Sequence, residues 1–548
     1  MPVNVAEFLL DRLKALGVDH LFGIPGDYIL PFFEVLETHP VQHIAPCNEL
    51  NGGYAADGYA RLRGLGAVAV TYGPGSFSLV NAVAAAYAER SPVVVISGGP
   101  PLAAYRDQPL MHHILPDRYA ASLRIFEQVT VGAKVLDNPA SVLSDIDDML
   151  GLAVAESRPV FIEFPQDLQL QPCDESPEWA PPPARRDPAA TEAAVAMLAE
   201  RMAGPGRCVL IVGHEPQAMG LEASLRELID RTGIAFASVF AGRADFLEGH
   251  PQCIGLYHGL GSQDDVREYV ESADTVIWFG AVASDFNKGG STAKLTPAQE
   301  VRVFNDEVIA AQGRFSGVRL EDVIQALLER LPAGRWNADA APGRGYLHLR
   351  DTPYESGGDA KISNRRFYDR IATWLKAGDV VLADAGPTIN MAYVELPEGI
   401  RYIASGYWAS IGGGFGMSLG ACIGASGNQR VIAFEGDGSF QMTAQELSTM
   451  ARYGRCPVIF VMNNRGYTAE RLIHDGEFND IQDWQYWRLP EVFGGVPGCE
   501  VRTEADLEDA LTRADDHAGP GPLVVEVHLD PMDVSDAFAR MSAGLRSR

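Results

Sequence analysis

The chain has 548 residues and a formal net charge of −28, from 72 acidic and 44 basic residues. This length exceeds what one hydrophobic core usually holds, so we expect about three domains. The excess of negative charge argues against nucleic acid or an anionic membrane as a partner. Seven scattered cysteines without a CxxC pair indicate reduced thiols. Because we find no charged-then-apolar leader and no apolar run of about 20 residues, we expect a cytoplasmic protein.

The first third of the chain alternates helical and strand patterns, which predicts a parallel sheet. Apolar residues recur at helical spacing from Val5 to Leu16. Polar clusters interrupt the pattern at Ile24-Pro-Gly-Asp27 and at Cys47-Asn-Glu49. An isolated glutamate at the start of a helix, such as Glu49, more often complements the helix dipole than takes part in catalysis. Strands are predicted at 20–23, 67–71, 93–97 and 160–164.

Two adjacent histidines, His112 and His113, follow an irregular polar stretch. On a strand or a helix, adjacent side chains point in different directions. We therefore predict that the pair does not share a metal ion. Two histidines in a loop are most often simply exposed.

A second α/β unit follows a stiff, proline-rich linker at 179–188. We find no GxGxxG motif after its strands, so we interpret this unit as structural, with a nucleotide site as the alternative. A segment rich in Gly, Pro, Asp and Ala at 331–363 predicts a long connection to a third unit. Strands are predicted at 208–213, 236–240, 275–280 and 301–305 in the second unit, and at 380–384, 402–404, 431–434, 458–462 and 523–527 in the third.

Two polar clusters follow neighbouring strands of the third unit. Gly436-Asp437-Gly438-Ser439 comes after one apolar run, and Asn463-Asn464 ends the next. The 24 residues between Gly438 and Asn463 suit a strand–helix–strand crossover. Such a crossover brings both clusters to the carboxyl edge of a parallel sheet, where ligands bind.

The residue types at this edge predict a metal ion and a diphosphate. Only oxygen ligands are available here, from Asp437, Asn464 and a carbonyl of the Gly466 turn. Such ligands suit magnesium, whose coordination shell is completed by water and phosphate oxygens. Gly438-Ser439 begins a helix, and free N–H groups at a helix start favour phosphate. A lone GDG is usually only a tight turn, but GDG and NN at this spacing form a strong signal.

The run from GDGSF to NNRGYTAE resembles the thiamine-diphosphate signature. Its continuation from Tyr467 to Gly476 is similar to the pyruvate, indolepyruvate and branched-chain keto acid decarboxylase branch. The motifs GIPGD, NELNGGYAADGYAR and TYGPGS resemble the family's pyrimidine-binding domain. The resemblance spans nearly the whole chain and implies three doubly wound α/β domains. These are a pyrimidine-binding domain at 1–178, a central domain at 190–332 and a diphosphate- and magnesium-binding domain at 360–548.

The resemblance also implies roles for individual residues. Glu49 hydrogen-bonds the aminopyrimidine of thiamine diphosphate and activates the cofactor, and Ile411 wedges between the two cofactor rings. The catalytic candidates are Glu49, Asp27, His112, His113 and Glu470. The cofactor contacts are Glu49, Pro74, Thr388, Ala409, Ile411, Gly438, Ser439, Asn464, Gly466, Tyr467 and Thr468. The Mg²⁺ ligands are Asp437, Asn464 and Gly466. Ile114 replaces the threonine that commonly follows the two histidines, so a hydroxyl near them is lost.

The implied activity is the non-oxidative decarboxylation of a 2-oxo acid to an aldehyde and CO₂. Ala469 and Ile389 stand where pyruvate-specific relatives carry larger side chains, and Ile473 completes the predicted substrate pocket. We therefore predict that branched-chain or aromatic 2-oxo acids are preferred over pyruvate. The C-terminal stretch from Val534 to Met541 is predicted to form a helix that closes over the site.

The resemblance further implies an oligomer, because it assigns Glu49 to one subunit and Glu470 with the metal site to another. A homodimer is then the minimum active unit, and a homotetramer is expected. One alternative is a carboligase, a synthase or a benzoylformate decarboxylase of the same superfamily; the histidine pair and the run 466–470 speak against these. Another is a non-catalytic, cofactor-binding assembly subunit, which would be expected to have lost Glu49 or a metal ligand.

Overall fold

The computed structural model describes residues 3–173, 179–334, 341–427 and 429–546, except for the side chains of 544 and 545. It contains three mostly parallel sheets with helices between their strands, which confirms the predicted α/β class. The outermost ends of the first and third predicted domains, and residues 335–340 of the predicted connection, lie outside the described residues. The predicted domain boundaries stay a prediction.

The first sheet has six parallel strands in the order β2-β1-β3-β4-β6-β5. Its strands are β1 (His20–Gly23), β2 (Gln42–Ile44), β3 (Gly66–Val70), β4 (Val93–Gly99), β5 (Gly132–Val135) and β6 (Val160–Pro165). Its helices are α1 (Val5–Ala15), α2 (Leu30–Thr38), α3 (Glu49–Arg63), α4 (Pro74–Ala88), α5 (Leu102–Asp107), α6 (Ala121–Phe126), α7 (Val142–Glu156) and α8 (Gln166–Gln169). Every residue of β3 and β4 is buried, as expected for a parallel sheet covered on both faces.

The second sheet has seven strands in the order β13-β12-β11-β10-β7-β8-β9, and β12 runs antiparallel to both of its neighbours, β11 and β13. Its strands are β7 (Cys208–Val212), β8 (Phe236–Val239), β9 (Cys253–Tyr257), β10 (Thr275–Phe279), β11 (Glu300–Val303), β12 (Glu307–Ala310) and β13 (Gly313–Ser316). Its helices are α9 (Pro188–Ala203), α10 (Glu215–Ala218), α11 (Glu222–Thr232), α12 (Asp264–Glu271) and α13 (Leu320–Arg330). In its described part, the predicted connection at 331–363 forms no helix.

The third sheet has six parallel strands in the order β15-β14-β16-β17-β19-β18. Its strands are β14 (Val380–Ala383), β15 (Arg401–Ala404), β16 (Val431–Gly436), β17 (Val458–Asn463), β18 (Cys499–Val501) and β19 (Leu523–His528). The helices of this region are α14 (Asn364–Trp374), α15 (Ala385–Met391), α16 (Gly413–Gly424), α17 (Asp437–Thr443), α18 (Glu446–Arg452), α19 (Thr468–Arg471), α20 (Leu489–Val492), α21 (Glu504–Asp515) and α22 (Asp536–Arg546). No helix in the described ranges is long and apolar enough to cross a membrane.

The chain divides into two compact units. The first contains Met1–Ala184, Phe415–Ser426 and Thr443–Arg455, and the second contains Arg185–Gly414, Gly427–Met442 and Cys456–Arg548. Most of α16 and all of α18 therefore belong to the same unit as the first sheet. Within that unit, α16 lies against α3 so closely that a β-carbon on Gly420 would lie 1.8 Å from the carbonyl oxygen of Ala55. Only glycine permits this approach of the two helices.

Candidate active site

The two polar clusters of the third sheet lie at the ends of adjacent strands. β16 and β17 pair in parallel, with Gly436 opposite Met462. Asp437 and Asn464 therefore leave the sheet at the same edge, as the crossover length predicted. The crossover contains two short helices, α17 and α18, rather than one.

Three oxygen-bearing groups meet at this edge. One terminal atom of the Asn464 side-chain amide lies 2.8 Å from the Gly466 carbonyl oxygen and 3.3 Å from Asp437 Oδ1. If that atom is nitrogen, it donates hydrogen bonds to both oxygens. If it is oxygen, it lies beside the other two oxygens at spacings near the edge of about 2.9 Å in a magnesium octahedron with bonds of about 2.0–2.1 Å. The set therefore fits a magnesium ion.

The electrostatics of Asp437 also fit a cation. Its side chain is buried; Oδ1 accepts a hydrogen bond from Gly438 N at 2.8 Å, and Oδ2 accepts one from Gly466 N at 3.0 Å. Burial raises the pKa of Asp437 to about 7 in spite of these hydrogen bonds, because the carboxylate loses its hydration. A divalent ion beside the carboxylate would favour its charged form.

The loop from Asn464 to Gly466 is held in an unusual conformation. Arg465 has a φ of 60° and Gly466 a φ of 140°, and a β-carbon on Gly466 would lie 2.1 Å from the Asn479 carbonyl oxygen. Buried Arg471 donates to the carbonyl oxygens of Asn464 at 3.1 Å and Arg465 at 2.6 Å, and to the Asp480 carboxylate at 2.7 Å. The sequence analysis missed Arg471, because nothing in the local pattern distinguishes it from a surface cation.

A cavity of about 320 Å³ extends from this loop. Its apolar part is formed by side chains from α15, from the region after Thr468 and from α22, including Phe538 and Met541. The lining includes these predicted site residues: Ile389, Ala409, Ile411, Asp437, Gly438, Ser439, Asn464, Gly466, Tyr467, Thr468, Ala469, Glu470 and Ile473. Most of the predicted residues of this unit therefore surround one cavity.

Thr388 occupies a different position from the other predicted cofactor contacts. It is completely buried, and its hydroxyl donates to the Ala383 carbonyl oxygen at 2.9 Å. Its neighbours Pro387 and Ile389 line the cavity, whereas Thr388 is not among the described lining residues. The local effect of its hydroxyl is to fix the first turn of α15 against β14.

A buried pair of carboxyl groups supports the segment that carries Ile411. Asp384 accepts hydrogen bonds from Ala385 N at 2.5 Å and from Gly414 N at 3.0 Å, so it joins the start of α15 to the start of α16. Burial raises the pKa of Asp384. Burial and the nearby Asp384 raise the pKa of Glu435 well above its usual range. The sequence offered no signal for this pair.

Glu49 is the first residue of α3, in the first compact unit. Glu446 accepts hydrogen bonds from the backbone N of Cys47, before Glu49, and from the side-chain amide of Asn51, after it, both at 2.8 Å. Glu446 is buried, and this burial raises the pKa of its carboxyl group. The sequence analysis missed Glu446, because it lies almost 400 positions further along the chain.

The predicted cofactor contact Pro74 lies on the element next to Glu49. It begins α4, and Glu49 Oε1 lies 3.6 Å from the position that a β-carbon on Gly75 would take. The first turn of α4 therefore passes directly beside the Glu49 carboxylate.

The histidine pair lies in a turn rather than on a strand or a helix, and His113 has a φ of 67°. His112 Nε2 lies 2.5 Å from Asp27 Oδ2, and His113 Nδ1 lies 3.9 Å from Asp27 Oδ1. Adjacent side chains point in different directions on a strand or a helix, but in this turn a ring nitrogen of each histidine lies near the Asp27 carboxylate. The absence of a shared metal ion stays a prediction. Ile114 anchors the turn in an apolar cluster with Tyr28, Tyr72, Ala104 and Tyr119.

Comparison with known families agrees with these observations. Residues 3–121 match the family described as thiamine pyrophosphate enzyme, N-terminal TPP binding domain. Residues 193–325 match the central domain of the same enzymes, and residues 387–527 match their C-terminal TPP binding domain.

Named relatives match over nearly the entire chain. It is 33% identical to a pyruvate decarboxylase of Aspergillus fumigatus over 568 aligned residues, which cover 100% of this chain and 98% of that protein. It is 35% identical to an alpha-keto-acid decarboxylase of Mycolicibacterium paratuberculosis, over 97% of this chain and 94% of that protein. An alpha-keto-acid decarboxylase of Mycobacterium tuberculosis is also 35% identical, over 93% of this chain and 92% of that protein. The chain therefore belongs to the thiamine-diphosphate-dependent 2-oxo acid decarboxylases and is a carboxy-lyase.

Proposed function

We propose that this decarboxylase prefers branched-chain or aromatic 2-oxo acids to pyruvate and releases the corresponding aldehyde. The observation that carries the proposal is Ala469, whose methyl group lines the cavity beside Glu470. The nearby wall is apolar and includes Ile389, Ile473 and Phe538. Such a wall favours a substrate with a hydrophobic side chain.

The small side chain of Ala469 leaves volume free that a longer substrate can fill. Each methylene that a longer substrate buries contributes about 0.8 kcal/mol. One methylene in a fitted pocket changes the preference between two substrates by roughly 10–200-fold. Partial use of the space beside Ala469 would therefore produce a measurable preference.

We infer that Asp437, Asn464 and the Gly466 carbonyl hold Mg²⁺, and that this ion binds the diphosphate near Gly438 and Ser439. The buried carboxylate and the converging oxygens support this assignment. When bound, thiamine diphosphate supplies the electron sink that decarboxylation of a 2-oxo acid requires.

We infer that Glu49 exchanges a proton with the aminopyrimidine, which requires an ionisable group at that position. Asp27, His112, His113 and Glu470 are the proposed proton carriers. The contact of 2.5 Å between Asp27 and His112 supports the transfer of a proton between these two side chains. Glu470 lines the cavity next to Ala469.

We further infer that the homodimer is the minimum active unit and that the protein forms a homotetramer. This inference rests on the resemblance, which assigns Glu49 and the metal ligands of one active site to different subunits. The retention of Glu49 and of all three proposed metal ligands argues against a non-catalytic assembly subunit.

The substrate preference is tested by comparing kcat/KM for pyruvate, 2-oxoisovalerate, phenylpyruvate and benzoylformate. We expect at least one bulky substrate to exceed pyruvate by about tenfold or more. Ala469→Ile should move the preference back toward pyruvate, because the added carbons fill the space beside Glu470. Ala377→Ile, which places the same side chain at an exposed position, is the matched control and should leave the ratios unchanged. A wild-type protein that favours pyruvate over all three other acids would contradict the proposal.

A further inference from the structure

The turn that carries the histidine pair brings together three side chains with different metal-binding atoms. One ligand atom from each of Asp27, His112 and His113 lies within 4.8 Å of the other two. The rings of the two histidines are 4.6 Å apart, centre to centre. This arrangement combines two imidazoles and one carboxylate, whereas the Asp437 site combines oxygens only.

Imidazole nitrogens prefer zinc and similar borderline cations to magnesium. In a tetrahedral zinc site with bonds of about 2.0–2.1 Å, the ligand atoms lie about 3.3 Å apart. His112 Nε2 lies 2.5 Å from Asp27 Oδ2, His113 Nδ1 lies 3.9 Å from Asp27 Oδ1, and one ligand atom from each residue lies within 4.8 Å of the others. Rotations of these exposed side chains that change the spacings by about 1.5 Å or less would therefore convert the cluster into a three-ligand site with a fourth position for water.

The surroundings of the cluster also suit an ion. The side chains of His112, Asp27 and His113 are 62%, 47% and 32% exposed in the single chain, so none of them is enclosed by apolar packing within it. The backbone beneath them is fixed. The Tyr28 hydroxyl donates to the His112 carbonyl oxygen at 3.2 Å, and the Tyr28 ring stacks on the His112 ring at 5.2 Å. A fixed backbone keeps the two imidazoles on the same side before a metal arrives.

We propose that Asp27, His112 and His113 form a second metal site, which binds Zn²⁺ or a similar borderline divalent cation separately from the oxygen ligands at Asp437. The ion takes the place of the proton between Asp27 and His112, and this proton is released to solvent. Binding then withdraws all three side chains from proton transfer and inhibits the enzyme reversibly. This inhibition rests on the proposed roles of the three residues, whereas the binding does not.

The test measures binding rather than turnover. The protein is stripped of metal with EDTA, reconstituted with Mg²⁺ and thiamine diphosphate, and titrated with Zn²⁺ against the chromogenic chelator 4-(2-pyridylazo)resorcinol. We expect one tight zinc ion per chain at this cluster. The zinc affinity of this site should fall at least about tenfold in each of the variants Asp27→Asn, His112→Gln and His113→Gln, since even the loss of an indirect partner of a metal ligand lowers affinity by about 10–100-fold.

The matched control is His39→Gln, which removes a histidine that contacts a single carboxylate, Asp11, at 3.1 Å. It should bind zinc like the wild type, and so should Asp437→Ala. Co²⁺ bound to the unaltered protein should show the intense visible bands of four-coordinate cobalt, which keeps the test independent of how the variants fold. The proposal is overturned if micromolar Zn²⁺ does not bind, if the three substitutions leave binding unchanged, or if Asp437→Ala abolishes it.

Discussion

Glu49→Gln is expected to abolish turnover while the protein stays folded and still binds thiamine diphosphate weakly. An amide can form a hydrogen bond with the aminopyrimidine but cannot exchange a proton with it. CO₂ release measures turnover, and quenching of tryptophan fluorescence measures cofactor binding. Glu37→Gln, at an exposed position of the same unit, is the matched control and should keep full activity. Near-normal aldehyde production by Glu49→Gln would refute the assignment.

Co-expression of two inactive variants tests whether one active site draws on two subunits. Suppose that Glu49 and Asp437 of one active site come from different subunits. A mixed dimer of one Glu49→Gln subunit and one Asp437→Ala subunit then contains one intact site and one site in which both residues are altered. Random pairing makes half of the dimers mixed, so roughly a quarter of the wild-type activity should return. Activity that stays at the level of the separate variants would show that each site lies within one subunit.

Asp437→Ala is expected to weaken magnesium-dependent binding of thiamine diphosphate by at least about 100-fold, and Asn464→Ala should act in the same direction. Each substitution removes a proposed oxygen ligand, and loss of a ligand should exceed the 10–100-fold typical of an indirect partner. The protein is stripped of metal, supplied with saturating Mg²⁺ and titrated with the cofactor. Quenching of tryptophan fluorescence measures cofactor binding. Unchanged affinity in both variants would place the metal elsewhere.

The same carboxylate should destabilise the metal-free protein at neutral pH. The pKa of Asp437 rises from 3.8 to about 7 on folding, so its ionisation destabilises the folded state progressively as the pH rises from about 4, and in full above pH 7. Asp437→Asn should therefore stabilise the protein in EDTA by about 2–4 kcal/mol at pH 8, and this gain should vanish as the pH falls toward 4. Thermal unfolding at pH 8 and pH 4 in EDTA measures this gain in stability. Asp509→Asn, on the exposed face of α21, is the control and should show no such pH dependence.

The edge of the sheet that carries Asp437 and Asn464 could be predicted because the residues that indicate it are neighbours in the sequence. Each residue directly follows an apolar run, and the length between them leaves room for one crossover. The contacts that shape this edge are not local. Arg471 donates to carbonyl oxygens of the loop from Asn464 to Gly466, and Glu446 accepts a hydrogen bond from the backbone before Glu49 from a distant part of the chain. No pattern of hydrophobic spacing encodes a pairing of this kind.

Backbone conformation and edge strands account for most of the other differences. The positive φ of His113 turns both histidines toward Asp27, and a left-handed residue other than glycine cannot be read from composition. The strands β2 and β18 have three residues each, which is too short for an alternating pattern to appear. The antiparallel pair of β12 and β13 extends the second sheet, although alternating β and α elements had predicted parallel strands alone.

The contact between α3 and α16 limits how this enzyme can be divided into fragments. A β-carbon on Gly416 would meet Tyr54, and one on Gly424 would meet Tyr59, so both tyrosines of α3 are covered by a helix that lies about 360 positions further along the chain. A recombinant fragment that stops at Ala184 would leave this apolar surface bare and should aggregate. A chimaera that takes its N-terminal region from another such decarboxylase would also need the segments 415–426 and 443–455 from that enzyme.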